Sequence, residues 1–154
     1  MKILFLDIDG VLVLEKWGTP NWTKSCISAL KQIYDEHPNL KIVISSTWRK
    51  KPNLIHAFMN MLEENEMRFD VIGMTSDIGL LQRDREVMKY LDDLASARLL
   101  LNVSDYVKNW AVLDDAPEFF GNNIISEDRL LFVSRHQGLT DYMALKVIKH
   151  FKGE

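Results

Sequence analysis

Cysteine occurs only once, as Cys26, so the chain cannot close an internal disulfide. Set in a helical pattern, that lone thiol reads as a buried apolar residue and suits a reducing cytoplasm. No run approaches the ~18 consecutive apolar residues of a membrane span. The opening Met1-Lys2-Ile3-Leu4-Phe5-Leu6 turns acidic at Asp7, too soon for the core of an export signal, so cytoplasmic residence is expected. A Gly-x-x-x-x-Gly-Lys-Ser/Thr loop is missing, which argues against a kinase of that type. Repeats, low-complexity segments and linkers are missing as well. The four histidines, His37, His56, His136 and His150, lack metal-ligand spacing and read as surface or capping residues. A net charge of −3 exerts no global pull on nucleic acid, so any polyanion must meet a local basic cluster. One exists at Arg49-Lys50-Lys51, which reads equally well as a solvated helix start.

What is present suits one soluble α/β domain spanning residues 1–154, with an ordinary apolar fraction of 47%. Short apolar runs at Lys2–Leu6, Leu40–Ile44, Asp70–Met74, Trp110–Leu113 and Leu130–Val133 predict five strands. Helical spacing marks Trp22–Glu36, Asn53–Glu66, Arg83–Ala97 and a closing helix that Thr140 caps and that runs to about Phe151. The stretch Arg98–Asn109 fits helix or strand. This alternation predicts a three-layer, doubly wound, mostly parallel five-stranded sheet.

In such sheets ligands bind beyond the carboxyl ends of the strands. Polar residues follow four strands here: Asp7 and Asp9, Ser45-Ser46-Thr47, Thr75-Ser76-Asp77, and Asp114-Asp115. Asp7 and Asp9 lie two residues apart and can point the same way, and Gly10 lets the backbone bend past them. Carboxylates suit magnesium, can attack phosphorus, and can move protons. A lone Asp-x-Asp could be only an acidic turn, and Asp92-Asp93 reads as a solvated helix pair. Asp114-Asp115 differs because it follows an apolar strand. Four carboxylates at one rim repel one another unless a cation lies between them. Ser45, Ser46 and Thr47 sit at a strand-to-helix junction, where hydroxyls and amides can cradle phosphate or simply cap the helix.

Phe5 to Leu12, Ser45 and Val112 to Asp115 resemble motifs of the haloacid dehalogenase superfamily of phosphohydrolases. Ser-Ser-Thr-Trp-Arg, Arg83-x-x-Glu86-Val87, Leu-Asp-Asp and Gly138-Leu139-Thr140 resemble, more narrowly, the haloacid dehalogenase-type domain of Swiss Army Knife RNA-repair proteins. The resemblance implies Asp7 as nucleophile and metal ligand, and Asp9 as general acid/base with its carbonyl on Mg2+. It implies Ser45 as phosphoryl holder and Asp115 as a metal ligand, with Asp114 ligating directly or through water. A third-motif cation should come from Arg83, with Arg85 the alternative. Ser46 and Arg49 would help bind substrate. Ala116 stands where the narrower family is often acidic, and Asp84 where glycine is common. Little sequence is free for a cap, so a capless or minimally capped site is expected.

Residues and resemblance together predict a magnesium-dependent phosphohydrolase working through an aspartyl-phosphate, with phosphorylated polynucleotide ends, nucleotides and small phosphometabolites as candidate substrates. The alternative is a binding or adaptor domain that keeps the fold without turnover. A phosphorylation receiver places its acidic residues on the first and third strands, and a glycosyltransferase Asp-x-Asp does not suit an N-terminal strand in so short a chain. Trp17, Trp22 and Trp48 could stack on a base or pack as flap and core.

Overall fold

The computed structural model describes residues 1–103 and 105–153. Five strands form one sheet: β1 (Lys2–Leu6), β2 (Lys41–Ile44), β3 (Asp70–Met74), β4 (Asn109–Asp114) and β5 (Leu130–Phe132). Their order is β3-β2-β1-β4-β5, and every pairing is parallel. Chain order reverses direction across the sheet at β1 and β4, so the crevice between their carboxyl ends is the switch point.

Alternation along the strands divides the core in two. Leu4, Leu6, Ile42, Ile44, Ala111 and Leu113 face α1 (Lys24–Glu36), α2 (Pro52–Glu64) and α4 (Asp141–Lys152). Ile3, Phe5, Val43 and Val112 face α3 (Arg83–Leu100), which contributes Val87, Tyr90, Leu91 and Leu94. Helices therefore cover both faces, and the three-layer architecture is as expected.

Helix boundaries shift for physical reasons. Trp22 was expected inside α1, but its ring packs 5.2 Å from that of Trp48, and Thr23 Oγ1 accepts the Leu14 N–H, so the helix starts after Thr23. α2 begins at Pro52, whose missing N–H costs nothing at a first helical position. α3 runs on to Leu100 and a turn at Leu101-Asn102 follows, so the ambiguous stretch opens as helix and turn and closes at Asn109 in β4, with Ser104 outside the described residues. Thr140 caps α4 as expected, accepting from the Met143 N–H at 3.2 Å. No cap domain interrupts the described residues; a loop joins β1 to α1, and a 3-10 turn at Thr47–Lys50 leads into α2. Nor is any described helix long and apolar enough to cross a membrane.

Candidate active site

Strand register extends one residue past the sheet. The Asp7 N–H donates to the Leu113 carbonyl, that of Ser45 to Leu6, and that of Thr75 to Ile44. Phe5 pairs with Val43 and with Val112, so two residues on, Asp7 falls in line with Ser45 and Asp114. All share the parity of the α3-facing core residues. Parity thus turns Asp7 and Asp114 toward the start of α3, where Arg83 stands.

Arg83 bridges them. One guanidinium nitrogen lies 2.7 Å from Asp114 Oδ2 and 3.3 Å from Asp7 Oδ2, with all three side chains buried. Arg85 is exposed, so of these two arginines Arg83 is the one that the helix phase turns toward the aspartates. The other Asp114 oxygen accepts the Ala116 N–H at 2.9 Å. Asp115 joins the pair because Gly10 leaves it space, and oxygens of Asp7, Asp114 and Asp115 lie within 4.8 Å of one another.

Electrostatics follow from this crowding. Burial, and then neighbouring Asp114, push the Asp7 carboxyl well above the usual range, while Arg83 pulls the other way. Burial lifts Asp114 to about 6 against the same guanidinium. The cluster is thus a site where like charges are incompletely neutralised by protein. Its donors are hard oxygens, and a small divalent cation such as magnesium fits that donor set.

Asp9 is half-buried and turns elsewhere, accepting the Gly18 N–H on both carboxylate oxygens at 3.1 Å. Burial raises its pKa, and the Gly18 bond opposes the shift. A cavity of about 220 Å³ brings Asp7, Asp9, Arg83 and Asp115 together with Trp17, Thr47 and Arg135. Beside it, a 340 Å³ groove shares Thr47, Arg83 and Phe119.

The remaining expected site residues lie around this centre. Ser45 is fully buried next to Asp7 in register, its hydroxyl has no partner, and it does not line the cavity. Ser46 accepts the Trp48 N–H at 3.2 Å and so caps the 3-10 turn. Arg49 has a side chain only 7% exposed, and its guanidinium meets Glu86 at 3.1 and 3.2 Å. Lys50 pairs with Asp77 at 2.7 Å. Two of the three basic residues at this turn are therefore matched by protein carboxylates. Trp48 is core and Trp22 packs on it, whereas Trp17 reaches the cavity.

Sequence reasoning did not single out Arg135, although it follows β5 as the other site residues follow their strands. It also read Asp84 only as a departure. Asp84 is buried and accepts both the backbone and side-chain N–H of Asn122, each at 2.9 Å, which ties the start of α3 to the segment after β4. Glu86 likewise accepts the Ile78 N–H at 2.8 Å while holding Arg49. Together these bonds fix the first turn of α3 and hence Arg83.

A doubly wound parallel sheet with paired aspartates and a buried arginine at its switch point is the arrangement expected of a hydrolase-type domain of the haloacid dehalogenase class. The family model for the HAD domain in Swiss Army Knife RNA repair proteins matches residues 3–144, and the chain belongs to that family. Comparison with curated proteins and with solved structures yields no match.

Proposed function

We propose that the domain is a magnesium-dependent phosphohydrolase that passes a phosphoryl group from a phosphomonoester to Asp7 and then to water. The observation that carries this reading is the buried, under-neutralised cluster of Asp7, Asp114 and Asp115 opening into a cavity that Asp9 also lines. Asp7 and Asp115, with the Asp9 carbonyl, would hold the ion, which when bound offsets the charge of the phosphoryl oxygens and the carboxylates. Both oxygens of Asp114 are engaged, by Arg83 and by the Ala116 N–H, so its part is to hold Arg83 and add charge to the site.

In the first half-reaction an oxygen of Asp7 attacks phosphorus, and the bond to the ester oxygen breaks. Asp9 gives that oxygen a proton, so the alcohol departs neutral; a raised pKa suits this role. In the second, Asp9 takes a proton from water, whose oxygen attacks phosphorus while the bond to Asp7 breaks. Inorganic phosphate and the free carboxylate result. Arg83 favours the ionised, attacking form of Asp7 and fixes its position. Thr47 at the cavity wall supplies a donor for phosphoryl oxygens, and the unpartnered Ser45 hydroxyl lies next to Asp7 in register but outside the cavity lining.

The substrate class proposed is a phosphorylated polynucleotide end or nucleotide. An open site without a cap among the described residues supports it, as does the RNA-repair setting in the family's description. The test is turnover of p-nitrophenyl phosphate by the purified protein with magnesium. Activity should vanish in chelator and fall by several orders of magnitude, roughly the scale of lost catalytic groups, in Asp7→Asn. Undiminished turnover in that variant would refute the assignment.

A further inference from the structure

Among the cavity residues that phosphoryl transfer leaves unused are Trp17 and Arg135. Trp17 is 47% exposed, although an indole gains much from burial. Its neighbour Gly18 is bonded to Asp9, so the indole is held beside the reacting centre.

Arg135 projects from the turn after β5. The Gln137 and Gly138 N–H groups both donate to the Ser134 carbonyl, and the Leu139 N–H donates to the Val11 carbonyl at 2.9 Å. Gly138 has φ +61°, and a β-carbon there would lie 2.6 Å from that same Val11 oxygen, so the turn sits tight against the loop that follows β1. The Arg135 side chain is 44% exposed, 3.1 Å from Glu118 and 3.7 Å from Asp115 Oδ2. Glu118 is itself half exposed, and such a surface pair is easily exchanged.

The other arginines paired near the site are committed more firmly. Arg83 is buried between Asp7 and Asp114, and Arg49 is buried on Glu86. Lys50 pairs with Asp77 at 2.7 Å in a similarly exposed contact, but it lines the neighbouring groove and not this cavity. Arg135 is the cation at the cavity whose partner a substrate can most readily replace. Its planar fork matches a phosphate with two hydrogen bonds.

We infer that Trp17 and Arg135 form a recognition subsite beyond the transferred phosphoryl group: an aromatic base stacks on Trp17, and a second phosphate displaces Glu118 from Arg135. The substrate class is a nucleotide bearing two phosphates, either at a polynucleotide end or as a free nucleoside bisphosphate. This rests on the phosphohydrolase reading. Glu118 then acts as a stand-in anion that the substrate must displace.

The test compares kcat/KM, with magnesium, for p-nitrophenyl phosphate, 3′-AMP, 5′-AMP, adenosine 3′,5′-bisphosphate and hexa-adenylates phosphorylated at either end. The wild type should favour the second phosphate over the better mononucleotide by about tenfold or more, as one good charge-assisted contact allows. Arg135→Gln should remove that preference, and Glu118→Gln should increase it. Trp17→Ala should cut the advantage of the mononucleotide over p-nitrophenyl phosphate by about tenfold, the scale of one base stacked on an aromatic ring. Opposite signs at Arg135 and Glu118 separate recognition from a role in shaping the turn, which would lower both. An unchanged preference in Arg135→Gln, or a lowered one in Glu118→Gln, overturns the inference. The bisphosphate and oligonucleotide arms tell the two sources apart. Turnover of p-nitrophenyl phosphate without any preference for a second phosphate defeats this inference alone. No turnover of any substrate defeats the phosphohydrolase reading with it.

Discussion

A β-carbon placed on Gly10 would lie 2.1 Å from Oδ2 of Asp115, well inside any van der Waals contact. Gly10 also has φ +80°, a backbone region that side chains resist. The turn after the first aspartate pair and the second aspartate pair thus occupy the same space, and only glycine lets the cluster close.

Gly10→Ala should therefore displace Asp115 while leaving the sheet intact. Activity on p-nitrophenyl phosphate should fall by about 100-fold or more, with a raised magnesium requirement, since a ligand has moved. Stability should drop by about 1–3 kcal/mol from backbone strain. Far-ultraviolet circular dichroism and a magnesium titration check both parts. Wild-type metal dependence in Gly10→Ala would mean that Asp115 does not ligate the ion.

Asp9→Asn removes the proposed proton donor. In the first half-reaction the loss should be small for p-nitrophenyl phosphate, whose leaving oxygen needs little protonation, and much larger for an alkyl phosphate, whereas hydrolysis of the aspartyl-phosphate should slow alike for both. Rates of the first half-reaction for a series of leaving groups measure this directly. Equal losses across the series would assign Asp9 another role.

Stability of the metal-free protein should depend on pH with a definite sign. Asp114 is raised from 3.8 to about 6 by burial, and Asp7 is raised as well. Between those values the folded chain holds more protons than the unfolded one, so the stabilisation present at low pH is lost as pH rises through the folded pKa. In chelator, Tm should rise as pH is lowered from 7 to 5. Asp114→Asn should flatten the trend, and magnesium should weaken it by taking the proton's place. A metal-free Tm that climbs from pH 5 to 7 would contradict the account.

Arg49 and Glu86 should behave as a buried ion pair. Glu86→Ala strands the Arg49 guanidinium and should cost about 3–5 kcal/mol. The double variant Arg49→Met, Glu86→Leu should cost clearly less, because no charge is left alone. Urea unfolding of the three proteins decides this, and a double variant as unstable as Glu86→Ala would contradict it.

Much of the site was legible from residue order because strand periodicity is strict. Asp7 and Asp114 each follow an apolar run, and alternation alone sets both on the α3 side of the sheet. The cation was harder to place. Whether Arg83 or Arg85 points inward depends on the phase of α3, set by Asp84 on Asn122 and Glu86 on Ile78, contacts that no local pattern reveals. The basic triplet misleads for the same reason, because Glu86 lies far along the chain from Arg49. Arg135 could have been found by asking of the fifth strand end what was asked of the other four. The three tryptophans next to the site could not be told apart by sequence, since burial of Trp48 and exposure of Trp17 arise from tertiary packing.

Trapping the covalent intermediate tests the central claim most directly. The protein is mixed with magnesium and p-nitrophenyl phosphate, quenched in acid during turnover, and reduced with borohydride, which converts an aspartyl-phosphate to homoserine. Peptide mass spectrometry should find homoserine at position 7 only when substrate and magnesium are both present. Active enzyme that yields no modification, or modification at another carboxylate, would contradict phosphoryl transfer through Asp7.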